Sequence, residues 1–263
     1  MSTLAVAKKD FKGARRAKTL WLVAALLALV AGLFAYTWSE PSFRDPQTDA
    51  QTVRELFNTL AVIMSFLLPI VVMVASYLSI AGEREDGGIK FLLSLPNTRR
   101  DVVAGKYLSR VGIATLAVVF MFGVALAVAL VKWGAFPAPV VLGVTAVTVL
   151  YSAAFVSVAV AMSAFVATRS RAVAGAIGVY FGLVIINFVP VISIRNMVRF
   201  LHHDLLGMAT NEHLYDFTQH VSPLFAFQKV RNFVLPEDMT AYVFAGGAGE
   251  KAELPVYLSD EFS

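Results

Sequence analysis

The chain has 263 residues, of which 58% are hydrophobic and only 15% are charged, and its mean hydropathy is +0.70. Ordinary globular chains carry roughly 25% charged residues, so this composition excludes a water-soluble domain and predicts a surface that largely faces lipid. The absence of cysteine excludes disulfides, thiol nucleophiles and cysteine-ligated metal centres. The net charge of +4 must therefore be interpreted by where the charges lie relative to a membrane.

The N-terminal segment 1–18 is basic and has apolar residues at helical spacing. Leu4, Ala7, Phe11 and Ala14 share one side of a helix, and lysines and arginines occupy much of the remaining circumference. This pattern predicts a cytoplasmic interfacial helix whose long basic side chains reach lipid phosphates. An unstructured positively charged tail is the alternative.

Five uncharged apolar segments follow, each long enough to cross a hydrocarbon core of about 30 Å as a helix. They lie at about 19–39, 56–82, 111–131, 139–168 and 172–194. Their density of aliphatic residues on every side is typical of membrane helices and unlike the amphipathic helices of soluble proteins. The sequence thus predicts an all-α polytopic membrane bundle over residues 19–194.

The charges between the spans predict the orientation of the bundle. The side that holds the N-terminus and the loops after the second and fourth spans has fourteen basic and five acidic residues. The opposite side has eight basic and thirteen acidic residues. By the positive-inside rule the N-terminus is cytoplasmic, and five crossings place residues 195–263 and the C-terminus outside. The overall positive charge thus describes orientation and gives no reason to expect nucleic acid.

The loop 82–110 between the second and third spans has an unusual order of features. A charge cluster is followed by a Gly pair, an apolar heptapeptide too short to span, and Pro96. This order predicts a short surface helix with an apolar side toward the spans, whereas a plain basic connector is the alternative. After the proline, Thr98 and Asp101 have capping-box spacing, so a helix is expected to start there and to continue into the third span.

The loop resembles that of ABC-2 type permeases, the membrane subunits of ATP-binding-cassette exporters. The residues that carry the resemblance are Glu83-Arg84-Glu85, Gly87 or Gly88, Leu92-Leu93-Ser94, Pro96, Arg99 or Arg100, and Gly105-Lys106. The basic N-terminal helix and the run of spans also resemble this family. In such permeases the loop forms a coupling helix that docks on a separate ATPase.

The resemblance implies roles for individual residues. Contact with the ATPase is implied for Glu83, Arg84, Glu85, Gly88, Leu92, Leu93 and Pro96. The base of a gating third span is implied for Arg99, Arg100, Gly105 and Lys106. The family usually has a sixth span after a long external segment, whereas residues 195–263 contain no apolar run of spanning length, so a truncated chain or a five-span variant is expected.

The sequence contains no G-x-x-x-x-G-K-[ST] motif, so we expect a transport subunit that is not an enzyme and binds no cofactor itself. The expected partners are a P-loop ATPase that carries ATP and magnesium, a second permease copy or a related subunit, and the lipid of the plasma membrane. The spans lack ionisable residues, which disfavours a proton- or ion-coupled transporter. Substrate contact and ordinary helix packing both remain open for the hydroxyls of the spans and for the Gly178 and Gly182 pair, whose spacing permits close helix approach.

All four histidines lie in the external segment 195–263. His213, Asp216 and His220 have helical spacings of three and four, which makes them weak candidates for a metal site, although solvated polar residues are the simpler interpretation and no metal is expected. The alternative function is a membrane-anchored accessory or enzyme subunit that acts through this segment.

Overall fold

The computed structural model describes residues 3–16, 18–39, 48–85, 98–166, 168–188, 193–219 and 221–236, without the side chains of residues 19, 78, 83, 84, 188 and 219. Every regular element in these ranges is helical. The helices are α1 Thr3–Arg15, α2 Lys18–Thr37, α3 Asp49–Ser76, α4 Leu78–Glu85, α5 Arg99–Trp133, α6 Ala138–Phe165, α7 Arg169–Tyr180, α8 Ile186–Phe188, α9 Ile194–Arg199, α10 Glu212–Gln219 and α11 Pro223–Val234. Two π-helical turns, Phe181–Ile185 and Phe200–Leu205, follow α7 and α9.

Four helical stretches in the described ranges are long and apolar enough to cross a membrane: Leu20–Thr37, Asp49–Gly82, Arg99–Trp133 and Ala138–Phe165. They correspond to the first four predicted spans and confirm an all-α polytopic membrane protein. The fifth predicted span, 172–194, covers most of α7, the first π-helical turn, α8 and residues outside the description. Its crossing of the membrane stays a prediction.

The helices pack around α5 and α6. One side of α5 contacts α1 and α2 and another contacts α6, while α6 also contacts α3, α4, α7 and α11. Glycines permit three close approaches, because a Cβ at Gly105 would lie 2.7 Å from Val6 Cβ, one at Gly143 2.2 Å from Val234 Cγ1, and one at Gly175 2.4 Å from Met162 Cε. The Gly178 and Gly182 pair differs from the expectation of a close approach, since added Cβ atoms there meet no described atom within 4 Å.

The N-terminal segment is helical, and two of the four residues of its predicted apolar side, Ala7 and Ala14, are buried. Val6, Ala7 and Ala14 are buried, whereas Leu4 is 70% exposed. The reason is that α1 packs along the start of α5, which selects the side that fits beside Gly105.

Candidate functional site: the charged end of the bundle

One end of the bundle collects α1, α4 and the first turns of α5 and α7, and we call it the charged end. Glu83, Arg84 and Glu85 form the last turn of α4, as expected for residues that lead into the loop. Among them, only the side chain of Glu85 is described. The other implied coupling residues, Gly88, Leu92, Leu93 and Pro96, lie outside the described residues.

Glu85 joins the end of α4 to the start of α7. Its Oε2 accepts a hydrogen bond of 2.9 Å from the backbone N–H of Arg169 and lies 3.6 Å from Arg169 Nε. The carboxylate therefore stabilises the positive end of the α7 dipole as well as pairing with the side chain. Glu85 thereby connects the end of α4 to the start of α7 at the charged end.

Ser163 of α6 holds the opposite end of α4. The helix is interrupted at Tyr77, between α3 and α4, so the first N–H groups of α4 have no partner within their own helix. The buried Oγ of Ser163 accepts hydrogen bonds from two of them, 3.0 Å from Ile80 N and 2.9 Å from Ala81 N. A neighbouring helix thus supplies the cap that a residue before a helix normally provides.

The start of α5 is capped as the sequence predicts. Thr98 Oγ1 accepts from the N–H of Asp101 at 3.1 Å, and Asp101 Oδ2 accepts from the N–H of Thr98 at 3.1 Å, which confirms the capping box. The other carboxylate oxygen, Oδ1, accepts a 2.6 Å hydrogen bond from Thr3 Oγ1 of α1. Arg99 and Arg100 in this first turn are exposed.

Gly105 and Lys106 of α5 are both covered by α1. Lys106 is only 2% exposed, and its Nζ lies 3.4 Å from Asp10 Oδ1. Arg110 Nε lies 3.6 Å from the other oxygen of the same carboxylate. Because a buried ammonium group without a counter-ion is strongly unfavourable, Asp10 is the residue that allows Lys106 to lie under α1.

A second polar cluster lies deeper, where Pro69 interrupts the hydrogen bonds of α3. Proline has no N–H, so the carbonyl of Ser65, four residues earlier, loses its usual donor. Tyr151 of α6 replaces it, with a hydroxyl that donates to Ser65 O at 2.7 Å. Tyr180 of α7 donates to the next carbonyl, Phe66 O, at 3.3 Å. The carbonyls of α3 beside Pro69 are thereby satisfied by two neighbouring helices.

Residues 4–247 match the family described as ABC-2 family transporter protein. This chain belongs to that family. It is 25% identical over 193 residues to the probable ABC transporter permease protein NosY of Pseudomonas aeruginosa, an alignment that covers 72% of this chain and 69% of that protein. It is 30% identical over 130 residues to the probable ABC transporter permease protein NosY of Stutzerimonas stutzeri, covering 49% of this chain and 46% of that protein.

Family membership confirms the resemblance inferred from the loop and identifies the chain as the membrane subunit of an ABC transporter, a transport component that works with an ATP-binding subunit. It also confirms a multi-pass membrane protein. The charged end of this ABC-2 permease holds the implied gating residues Gly105 and Lys106 in one packed unit with α1, while the ATPase-contacting role of Glu83, Arg84 and Glu85 stays a prediction.

Two of the three weak metal candidates of this permease, His213 and Asp216, lie on α10 in the described residues. Arg195 pairs with two carboxylates of α10. Its Nε lies 3.4 Å from Asp216 Oδ1, and its Nη2 donates to Glu212 Oε2 at 2.8 Å. His220 lies outside the described part of the chain, and within that part no three His, Asp or Glu side chains are grouped to hold a metal ion. Ion pairs with Arg195 thus connect α10 to α9.

The helix α11 enters the bundle beside α6. The Phe227 ring lies 4.5 Å from that of Tyr151, and Ser222 Oγ donates to Leu183 O in the π-helical turn at 2.8 Å. Arg231 is 5% exposed, and burial lowers its pKa to about 10, so it remains charged at neutral pH. Its Nη2 donates to Asn232 Oδ1 at 3.1 Å.

Sequence reasoning missed Asp10, Ser163 and Tyr151 as important residues. A proline within a predicted span did signal that one carbonyl needs a new donor. The identity of that donor depends on which helix lies beside α3, which no local pattern contains. Other span hydroxyls of the same type, such as Thr145, Thr148 and Ser152, bond to carbonyls of their own helix.

Proposed function

We propose that this chain is the permease of an ATP-driven exporter, in which two copies form the substrate pathway and the loop 82–110 couples them to a separate ATPase. The ATPase holds ATP and magnesium, and the chain lies in the plasma membrane with its N-terminus cytoplasmic. The direction of transport follows from the family resemblance. The observation that carries the proposal is the attachment of α4, the helix that leads into the loop, to two further helices.

The two ends of the loop are attached to different parts of the bundle. On one side, Ser163 and Glu85 connect α4 to α6 and α7. On the other side, Asp10 and Thr3 of α1 hold the first turns of α5. Because the elements at each end are joined by buried or charge-assisted contacts, a displacement of the loop by an ATPase would move both groups of helices.

An exposed pair of small residues supports association of two copies. Gly178 and Gly182 lie one helical turn apart, no described atom lies within 4 Å of a Cβ added at either, and the neighbouring Ile177 and Phe181 are each 53% exposed. Small residues at this spacing allow backbones of two membrane helices to approach closely. The second copy in our proposal packs here.

The dimer is tested by replacing both glycines with leucine. We expect the variant to shift from dimer to monomer when its mass is measured in mild detergent. Gly123→Leu is the control, since a Cβ added at Gly123 on α5 also meets no described atom within 4 Å. A G178L/G182L chain that dimerises like the parent would contradict this interface.

Coupling is tested by reversing the charges before the loop, with Glu83→Lys combined with Arg84→Glu. We expect less ATP-binding subunit to copurify and at least a tenfold loss of permease-dependent ATP hydrolysis, which corresponds to about 1.4 kcal/mol of interaction. Lys8→Glu, on the exposed side of α1, is the control for a general change in surface charge. Unchanged copurification and ATP hydrolysis in the double variant would overturn the role of the loop.

A further inference from the structure

A cleft opens between α1, α2, α3 and α5 near the charged end. Its volume is about 370 Å³, within the range of small-molecule sites. The walls are almost wholly apolar and include Leu27 of α2, Leu68 and Ala75 of α3, and Ala117 and Phe120 of α5. Such walls suit a hydrocarbon chain and give water few hydrogen-bonding partners.

One cation lies at the wall of this cleft. Arg15, the last residue of α1, is exposed and lines the cleft together with the half-exposed ring of Trp21. The Trp21 Nε1 donates to the Arg15 carbonyl at 2.7 Å, which holds the two residues side by side. The single carboxylate of α1, Asp10, is already engaged by Lys106 and Arg110.

We propose that the cleft is a binding site for one phospholipid with an anionic headgroup, whose acyl chain fills the apolar space and whose phosphate lies at Arg15. An arginine guanidinium is well matched to phosphate oxygens, and a tryptophan ring is favoured at the same depth of a membrane. The proposal requires only that the spans cross a bilayer, and it does not depend on the ATPase or on the direction of transport.

The charges disfavour a second copy of this chain as the occupant. In a two-fold symmetric interface the same patch contributes from both copies, so Arg15 and its basic neighbours on one copy would face the same cations on the other. Like charges at that distance repel, whereas a lipid phosphate supplies the missing anion. The glycine pair lies elsewhere, with Gly178 on α7 and Gly182 in the π-helical turn that follows, and neither element lines the cleft.

The test uses the full chain with Trp38 and Trp133 changed to phenylalanine, so that Trp21 is the only tryptophan. In nanodiscs of phosphatidylcholine, increasing fractions of phosphatidylglycerol with brominated acyl chains should quench Trp21 at a low mole fraction. Brominated phosphatidylcholine should quench Trp21 to the same extent only at a higher mole fraction. We expect Arg15→Gln to raise the mole fraction of phosphatidylglycerol at half-quenching about fivefold, because that is the effect of losing one cation near an anionic lipid surface.

Two matched controls separate a site from general membrane contact. Arg16→Gln removes the same charge one residue away and should leave half-quenching unchanged, because Arg16 does not line the cleft. Ala117→Phe fills the cleft and should abolish the preference for phosphatidylglycerol, whereas Ala127→Phe on an exposed part of the same helix should retain it.

Equal quenching by the two lipids, or equal effects of Arg15→Gln and Arg16→Gln, would overturn the proposal. Loss of the phosphatidylglycerol preference on adding millimolar inorganic phosphate would indicate an anion site without an acyl chain and would also overturn it. If the Ala117→Phe chain changes from dimer to monomer while its lipid preference is retained, the cleft is a subunit interface. Retained folding of each variant is checked by its elution volume and melting temperature.

Discussion

The helices α2 and α3 are both strongly apolar, yet they occupy different places in the bundle. In the most apolar window of α2 22% of the residues are buried, compared with 56% in that of α3. Leu22 and Leu29 of α2 are 67% and 57% exposed, whereas Phe57 and Leu60 of α3 are fully buried. Hydropathy therefore predicts that a helix leaves water, and it does not distinguish contact with lipid from contact with protein.

The polar contacts of the two helices differ in the same way. Those of α2 lie near its ends, where Trp21 donates to Arg15 O and Lys132 donates to Tyr36 O and Trp38 O. Apart from the capping box at its start, the polar contacts of α3 lie at Pro69 and at its junction with α4, inside the bundle. Mutations should therefore be costly along α3 and mild along α2, which four experiments test.

The largest effect is expected for Phe57→Ala in α3. The Phe57 ring is stacked on that of Phe122 at 5.6 Å, and its removal leaves a cavity that lipid cannot fill. We expect a loss of about 3 kcal/mol in the free energy of unfolding, measured by dodecyl sulfate titration. Leu29→Ala in α2 should lose less than about 0.5 kcal/mol. Comparable losses at the two positions would contradict the assignment of α3 to the centre.

The second effect is expected for Ser163→Ala at the α3–α4 junction. Two buried N–H groups lose their acceptor, so we expect a loss of about 1–2 kcal/mol and faster amide exchange at Ile80 and Ala81. The control is Ser157→Ala, because Ser157 Oγ bonds at 2.6 Å to Ala154 O of its own helix. Exchange at Ile80 that stays slow in the Ser163 variant would show that this cap is dispensable.

The third effect is expected beside Pro69 of α3, where Tyr151→Phe removes the donor to Ser65 O. We expect a loss of about 1 kcal/mol, since polar contacts between membrane helices are individually modest. In a Pro69→Ala background the new N–H can satisfy Ser65 O, so Tyr151→Phe should then cost almost nothing. A double-mutant cycle measures this coupling. Equal costs in both backgrounds would mean that the hydroxyl does not compensate for the proline.

The smallest effect is expected for Lys132→Met, which removes the donor to the last carbonyls of α2. The side chain of Lys132 is exposed, and a cation at a helix C-terminus contributes about 0.5 kcal/mol. Lys132→Arg keeps the charge and should restore most of that value. A loss as large as that of Ser163→Ala would show that α2 is held more firmly than its exposure indicates.

Local patterns predicted much of the fold. The first four spans are visible as uncharged runs, the start of α5 as the Thr98 and Asp101 capping box, and the family as the ordered loop motif around Glu83 and Pro96. Each of these signals is contained in a short stretch of chain and reports hydration, hydrogen bonding near a helix end, or a family-specific order of residues. The fifth uncharged run, 172–194, is equally visible in the sequence, but a π-helical turn divides its helix and part of it lies outside the described residues, so its crossing stays a prediction.

The amino-acid sequence by itself determined that the chain lies in a membrane, where its first four spans lie, and that its charges are segregated, since these depend on local composition. Only the tertiary structure decided that α3 is central and α2 peripheral, that Asp10 neutralises Lys106, and that Ser163 caps α4. It also decided which glycines permit close approach, with Gly105 packed and Gly178 open. The reason is that each of these depends on which helix becomes a neighbour, and apolar helices of similar hydropathy are distinguished only by the fit of their side chains.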